Sequence, residues 1–251
     1  MVFQDMINKV LNDDCINVMR DIPDKSIDMI LCDLPYGTTA CKWDTIIPFE
    51  PLWEQYKRII KDNGAIVLTA SQPFTSALVM SNVKMFKYDL IWDKKLATGF
   101  LNANRMPLRS HEEILVFYKN QPTYNPQKVI GKVNHSRGKN KCKTNNLYGY
   151  HKIADDNFTE LKHPKSVLEL QKEHPSKTIH PTQKPVALFE YLIKTYTNKG
   201  DLVLDNCAGS GTTGVACISL KRRFVLIEKE KKYCDIAIKK LAEYDYELFP
   251  L

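Results

Sequence analysis

The tetrad Asp33-Leu34-Pro35-Tyr36 places two hydrogen-bond acceptors and an aromatic ring directly after an apolar run at residues 27–32. Pro35 disfavours helical geometry at Leu34, so the Leu34 carbonyl should be held extended beside the Asp33 carboxylate. Two such acceptors can take both N–H hydrogens of an aromatic amine and aim its lone pair at an electrophile, while Tyr36 stacks on the ring. The alternative is an ordinary turn, with Asp33 as a cap and Tyr36 as packing.

A second segment that could do chemistry is the glycine-rich run at residues 205–214, which follows a strand pattern and precedes a helical one. Gly209, Gly211 and Gly214 give GxGxxG spacing, which alone is a weak signal. Glu228 stands at the end of the next strand pattern, where an acid can bind both hydroxyls of an adenosine ribose. This context favours an adenosine cofactor, and a turn without a ligand is the alternative.

The charge of Asp205 indicates which adenosine cofactor the loop would hold. A dinucleotide places its pyrophosphate on such a loop and on the following helix N-terminus, where Asp205 would repel it. S-adenosylmethionine carries a cationic sulfonium and an ammonium group instead, and a carboxylate attracts both. We therefore expect S-adenosylmethionine rather than a nicotinamide or flavin dinucleotide.

Together the two segments predict methyl transfer to the exocyclic amine of a nucleic-acid base. Such an amine is a weak nucleophile because its lone pair is delocalised into the ring, so positioned acceptors matter more than a strong base. In duplex DNA the amine is buried, and the base must be flipped out before it can react.

Strand-like and helix-like stretches alternate along the chain, with a turn expected at residues 62–64. The apolar runs have the length of buried parallel strands. This predicts an α/β, Rossmann-like fold with a mainly parallel sheet and helices on both faces. The expected strands are residues 27–32, 65–70, 88–92, 114–118, 202–204 and 223–227. The expected helices are 51–60, 73–80, 185–196, a helix that follows the 205–214 loop and ends at about residue 220, and 231–243.

The net charge of +7 is concentrated in one internal segment. Residues 119–184 contain 13 Lys and Arg against 5 Asp and Glu, which indicates a polyanionic partner such as DNA. A solvated loop is the alternative. The predicted organisation is a catalytic half at residues 1–118, a basic target-recognition insertion at 119–178, and a cofactor-binding half of the same core at 179–251.

Composition excludes several other classes of protein. No apolar run approaches the roughly 20 residues that span a bilayer, and the first residues lack the pattern of an export signal. The seven cysteines include no CxxC pair, which argues against a zinc site and a disulfide framework. We expect a cytoplasmic protein with reduced thiols, no metal and no membrane contact.

With these motifs the sequence resembles the amino-methylating DNA methyltransferases of the β class, in which the catalytic motif precedes the cofactor motif. Further matches are Asn12-Asp13-Asp14-Cys15, Trp92-Asp93-Lys94, Arg109-Ser110-His111-Glu112 and His180-Pro181-Thr182-Gln183-Lys184-Pro185. The family's first tetrad proline is Leu34 here, whose carbonyl can still accept. The resemblance implies a circularly permuted motif order.

The resemblance also implies roles for individual residues. Asp14 would bond the cofactor adenine, and Thr182, Gln183 and Lys184 would contact its methionine end. The catalytic residues would be Asp33, Leu34, Pro35 and Tyr36. The complete set predicted to bind the cofactor is Asp14, Cys15, Asp33, Thr182, Gln183, Lys184, Asp205, Asn206, Cys207, Ala208, Gly209, Ser210, Gly211, Thr212, Thr213 and Glu228.

The preferred prediction is a site-specific DNA methyltransferase acting on adenine N6, since aspartate in the first tetrad position is typical of adenine enzymes. Cytosine N4 is open, because that correlation is imperfect. Two more hypotheses are a methyltransferase that acts on RNA or on a protein amide, and a DNA-binding protein with an inactive core. A homodimer and a place in restriction–modification are plausible on the resemblance.

Overall fold

The computed structural model describes residues 2–39, 41, 43–132, 142–145, 149–152, 160–171 and 183–244 of the 251-residue chain. Eight strands of these residues form the main sheet. In chain order they are β1 Lys9–Leu11, β2 Ile27–Asp33, β3 Ile60–Ala70, β4 Phe86–Thr98, β5 Arg109–Phe117, β10 Val167–Glu169, β11 Leu202–Asp205 and β12 Arg223–Ile227.

The order across the main sheet is β1-β12-β11-β2-β3-β5-β4-β10. Within the described residues the neighbouring strands are parallel, except that β5 is antiparallel to both β3 and β4. In β2 the side chains of Met29 and Leu31 enter one hydrophobic core, and those of Ile30 and Cys32 enter the other. All four are fully buried, which explains why the strand is continuously apolar.

Helices cover both faces of this sheet, as predicted for a Rossmann-like fold. Their bounds are α1 Cys15–Asp21, α2 Phe49–Ile59, α3 Phe74–Ser81, α4 Val186–Tyr196, α5 Thr212–Ser219 and α6 Lys231–Ala242. The helices α1, α2 and α3 contribute to one core, and α4, α5 and α6 contribute to the other. None of the helices in the described part of the chain has the length and apolarity that crossing a bilayer requires.

The two strands that carry the chemical motifs are neighbours in space although they are far apart in sequence. Strand β2 pairs with β11 through Met29 opposite Val203 and Ile30 opposite Leu204. The tetrad at the end of β2 comes early in the chain, whereas the glycine-rich loop that follows β11 comes late. This confirms the permuted order of the motifs.

The segment Pro126–Lys165 forms a compact unit separate from Met1–Asn125 and Ser166–Leu251. Its described residues contain two antiparallel strand pairs, in which β6 Val129–Ile130 pairs with β9 Leu161–Lys162, and β7 Cys142–Asn145 pairs with β8 Gly149–Lys152. Strand β10 lies within the predicted 119–178 insertion, yet it pairs with β4 of the main sheet. The target-recognition role of the insertion stays a prediction.

The turn expected at residues 62–64 is wrong. Strand β3 runs through these residues, and its pairing with β2 is irregular there, because Ile60 is opposite Ile27 whereas Ala65 is opposite Met29. A Cβ atom on Gly64 would lie 2.8 Å from the Asp28 carbonyl oxygen, so the glycine permits a close backbone approach rather than a reversal. Strand β1, helix α1 and strand β10 were not predicted.

The glycine spacing of the loop has a packing role that can be tested at Gly214. This residue lies in α5, and a Cβ atom there would come within 2.8 Å of Leu226 in β12 and of Leu241 in α6. We expect Gly214→Val to lower the free energy of unfolding by about 1–3 kcal/mol, because it overpacks this contact. Urea denaturation measures the change.

The matched control is Ser219→Val, which adds the same branched side chain at an exposed position of the same helix. It should cost less than about 1 kcal/mol. Equal stability of the Gly214→Val protein and the wild type would contradict the packing role of this glycine.

Candidate active site

Three acidic residues stand where parallel strands end at one edge of the main sheet. Asp33 is the last residue of β2, Asp205 is the last residue of β11, and Glu228 directly follows β12. They line one cavity of about 370 Å³. The predicted site residues in its lining are Asp14, Cys15, Asp33, Leu34, Pro35, Tyr36, Gln183, Lys184, Asp205, Asn206, Cys207, Ala208, Gly209, Ser210, Thr212 and Glu228.

The carboxylate of Asp33 is fixed from both sides. Its Oδ1 accepts a hydrogen bond from the Tyr36 hydroxyl at 2.7 Å and another from the Thr69 hydroxyl. Its Oδ2 accepts from the Lys184 ammonium at 2.7 Å. Hydrogen bonds to charged groups are short and strong, so this carboxylate has one defined orientation in the cavity.

Lys184 belongs to a chain of alternating charges that runs from Asp33 into strands β4 and β5. Its Nζ lies 3.3 Å from Glu112 Oε2, and Lys94 Nζ lies 3.3 Å from Glu112 Oε1. Both lysines are buried. Burial by itself lowers the pKa of Lys184, but the charges of Asp33 and Glu112 outweigh burial and raise that pKa, so the ammonium stays charged.

Tyr36 has its ring and its hydroxyl engaged at once. The ring stacks on Phe74 with the centroids 5.3 Å apart, and Lys184 Nζ lies 5.4 Å from the ring centroid. Burial raises the pKa of the hydroxyl well above its ordinary value, and the charge of Asp33 raises it further. The neutral hydroxyl therefore remains a donor to Asp33.

Asp205 is a buried carboxylate with hydrogen bonds but no cation beside it in the described part of the chain. Thr213 donates its hydroxyl hydrogen to Oδ2, and the Cys207 backbone N–H donates to Oδ1 at 3.1 Å. Burial raises the pKa of Asp205 to about 7, against the lowering effect of these hydrogen bonds. A cationic ligand would relieve the cost of burying this charge.

Glu228 is held in place by backbone donors. The Gly209 N–H donates to Oε2 and the Glu230 N–H donates to Oε1, each at 2.8 Å. Burial raises the pKa of Glu228 despite these bonds. Each oxygen keeps a second acceptor site, so the carboxylate can still bind two hydroxyls of a ribose.

The remaining residues of the glycine-rich loop support this arrangement. Gly211 has φ of +78° and ends the turn before α5, where a Cβ atom would lie 3.0 Å from Ala237 Cβ. Ser210 donates its hydroxyl hydrogen to Gln183 Oε1 at 3.0 Å, which joins the loop to the segment before α4.

Two of the predicted cofactor residues are placed differently from the rest. Gly211 and Thr213 do not line the cavity. Gly211 shapes the turn before α5, and Thr213 donates a hydrogen bond to Asp205. Thr182 lies outside the described residues. Their contact with a cofactor stays a prediction.

Asp14 has a structural role in addition to its predicted one. Its Oδ1 accepts the Ile16 N–H at 2.9 Å and thereby caps the N-terminus of α1. It also lines the cavity, so a contact with the cofactor adenine stays a prediction.

Thr38, Thr39 and residues 43–48 form another wall of the cavity. The Asp44 carboxylate accepts backbone N–H groups from Gly37, Thr38 and Thr39 at 2.7–2.9 Å, which gathers the segment after the tetrad into a tight loop. Trp43 of this loop lies edge-on to Tyr233 of α6, and both line the cavity. Sequence reasoning placed Trp43 in the core and assigned this loop no part in the site.

Thr69, Phe74, Glu112 and Lys94 are further residues around Asp33 that sequence reasoning did not assign to the site. The one signal in the sequence was the match of Lys94 and Glu112 to family motifs, which gave no position for them. The placement of Lys94 and Glu112 depends on the pairing of β4 with β5, where Trp92 is opposite Glu112. Among the described residues no cluster of His, Cys, Asp or Glu is suited to a metal ion.

The cavity fits S-adenosylmethionine. Its volume lies in the roughly 300–1,000 Å³ range of small-molecule sites. Asp205 offers a buried negative charge for the cationic groups, Glu228 offers acceptors for the ribose, and Asp33 lies in the same cavity for the methyl acceptor. The fold and this site define an S-adenosylmethionine-dependent methyltransferase.

The particular family follows from comparison with known proteins. The model of the DNA methylase family of N6/N4 methyltransferases matches residues 27–239, and this chain belongs to that family. It is 28% identical over 273 residues to the Type II methyltransferase M.HinfI of Haemophilus influenzae, a match covering 95% of this chain and 69% of the relative.

Two further comparisons agree with this assignment. The DNA adenine methyltransferase YhdJ of Escherichia coli K12 is 28% identical over 253 residues, covering 92% of this chain and 82% of the relative. The crystal structure of the M1.HpyAVI–SAM complex superposes with a TM-score of 0.63 at 27% identity, covering 93% of this chain and 99% of that one.

The raised pKa of Asp205 predicts that cofactor binding depends on pH. The free protein has Asp205 largely protonated below about pH 6 and ionised above about pH 8, given its pKa of about 7. A cation favours the ionised form, so the Kd for S-adenosylmethionine should rise as pH falls through 7, by up to about tenfold per pH unit. Calorimetric titration across this range measures it.

Two variants separate Asp205 from the other acid. Asp205→Asn should bind the cofactor more weakly and without the pH dependence, whereas Glu228→Gln should bind weakly but keep it. A wild-type Kd that stays constant over the whole range would contradict the assignment of the cationic groups to Asp205.

Proposed function

We propose that this protein transfers a methyl group from S-adenosylmethionine to the N6 amine of an adenine that is flipped out of DNA. The observation that carries the proposal is the orientation of Asp33, whose carboxylate is fixed by Tyr36, Thr69 and Lys184. It lies in one cavity with the carboxylates of Asp205 and Glu228.

In this mechanism Asp33 and the Leu34 carbonyl accept the two N–H hydrogens of the amine, and this aims the nitrogen lone pair along the line of transfer. S-adenosylmethionine supplies a methyl group on a positively charged sulfur. As the new N–C bond forms and the S–C bond breaks, the nitrogen must lose one proton. Asp33 would accept this hydrogen in the proposed arrangement and could take the proton, so no separate strong base is needed.

Adenine is preferred because the first residue of the tetrad is aspartate, as in the adenine enzymes that the sequence resembles. YhdJ, one of the relatives, is named a DNA adenine methyltransferase. Methylation of cytosine N4 is the second candidate, because the family includes both amines and both need the same pair of acceptors.

We assign the binding of DNA to the basic region at residues 119–178. Its excess of Lys and Arg supports contact with phosphates and with the recognised bases. M.HinfI is named a Type II methyltransferase, and that likeness supports site-specific modification of DNA. A cytoplasmic location and a homodimer are further proposals, which rest on the family resemblance.

Replacing Asp33 tests the catalytic assignment. Asp33→Ala should reduce transfer of labelled methyl to unmethylated plasmid DNA by at least about 10³-fold, because the amine loses its charged acceptor. Cofactor affinity should change little, since Asp205 and Glu228 remain. The control is Asp24→Ala, which removes an exposed ion pair with Arg58 elsewhere in the molecule. An active Asp33→Ala protein would contradict the mechanism.

Replacing Lys184 tests whether this residue positions Asp33 or binds the cofactor. Lys184→Met should lower kcat by roughly 10²-fold while the KM for S-adenosylmethionine changes little, because the carboxylate loses its fixed orientation. Lys61→Met is the matched control, since it removes a lysine–carboxylate pair with Asp28 away from the cavity. A raised cofactor KM with an unchanged kcat would assign Lys184 to the cofactor instead.

A further inference from the structure

The connection between β4 and β5 exposes large apolar side chains to solvent. Every residue from 99 to 111 is exposed, and Phe100 and Leu101 show 81% and 97% of their surface to solvent. Met106 and Leu108 of the same loop are also exposed. Such a concentration of exposed apolar residues marks an interaction surface more often than an inert one.

This loop stands at the catalytic edge of the sheet. Its base is the pair of Thr98 at the end of β4 and Arg109 at the start of β5. Thr98 Oγ1 is 3.4 Å from Lys94 Nζ, and Lys94 belongs to the charge chain that ends at Asp33. Arg109 donates to the hydroxyl of Ser71, which directly follows β3. The exposed side chains therefore project from the edge where the amine reacts.

The loop has a shape of its own. The Asn102 N–H donates to the Gly99 carbonyl at 2.9 Å, and the Ala103 N–H donates to the Phe100 carbonyl at 3.0 Å. Met106 N–H donates to the Asn102 carbonyl at 3.0 Å. These bonds tie the backbone into a compact turn, so Phe100 and Leu101 stay on its surface rather than folding inward.

The charge of the loop identifies its partner. The exposed stretch at residues 99–111 contains Arg105 and Arg109 and no Asp or Glu. A basic surface with apolar tips is suited to DNA, in which phosphates flank a stack of apolar base faces. A surface for a second copy of this chain would not need the basic bias, and it would leave the position beside Asp33 unexplained.

We propose that Phe100 and Leu101 insert into the DNA base stack beside the target and fill the space that the flipped base leaves, while Arg105 and Arg109 contact the adjacent phosphates. This inference rests on the proposed function, since it presumes that the reacting base leaves a duplex. An apolar wedge offsets the cost of unstacking, and a base that is already unpaired does not need it.

The test compares paired and unpaired targets. The double variant Phe100→Ala, Leu101→Ala is assayed on an oligonucleotide duplex that the wild type methylates, on the same duplex with an abasic site opposite the target, and on the single strand. We expect kcat/KM on the intact duplex to fall by at least about 10-fold, with less than about a threefold change on the other two substrates.

Met80→Ala is the matched control, because Met80 is also highly exposed and lies near the end of α3, away from the catalytic edge. It should leave activity on all three substrates unchanged. The cofactor affinity and the melting temperature of the double variant should equal those of the wild type. This result would show that the two exposed side chains do not contribute to the stability of the fold.

Three outcomes would overturn the wedge. One is wild-type activity of the double variant on the intact duplex. Another is an equal loss on all three substrates. The third is a change from dimer to monomer in sedimentation, which would assign the patch to a second copy. If the wild type methylates no DNA of any kind, it is the proposed function that fails, so the two failures are distinguishable.

Discussion

The contact between Lys184 and Asp33 joins the two halves of the molecule at the wall of the cavity. The two residues are separated by 151 positions in sequence, yet Nζ and Oδ2 are 2.7 Å apart. Removing one member of a buried ion pair leaves an uncompensated charge at a cost of several kcal/mol. Lys184 also holds Glu112 at 3.3 Å, and through it Lys94, so strands β4 and β5 take part in the same network.

This contact depends on the strand order of the sheet. Because β11 lies beside β2, the segment that precedes α4 can reach the end of β2, although the catalytic motif comes early and the cofactor motif late. Parallel strands bring their carboxyl ends to one edge, so Asp33, Asp205 and Glu228 meet there. Their surroundings differ, since Asp33 has a lysine beside it whereas Asp205 is buried and, among the described residues, is held by hydrogen bonds alone.

The residues that end buried strands were predictable from sequence, because an apolar run followed by an acid needs no knowledge of tertiary pairing. Asp33, Asp205 and Glu228 were found in this way. Thr69, which donates to Asp33, and Glu112, which pairs with Lys184, were not, because they come from other strands and their approach depends on register. The turn expected at residues 62–64 failed for a related reason: an Asp-Asn-Gly sequence is typical of a turn, but Gly64 is needed for a close approach to Asp28.

The most direct test of the proposed mechanism is to identify the base that the protein methylates. DNA incubated with the protein and S-adenosylmethionine can be digested to nucleosides and analysed by mass spectrometry. We predict that the wild type forms N6-methyl-2′-deoxyadenosine and that this product is absent with Asp33→Ala. A product methylated at carbon 5 of cytosine, or DNA that stays unmethylated although the cofactor is bound, would contradict it.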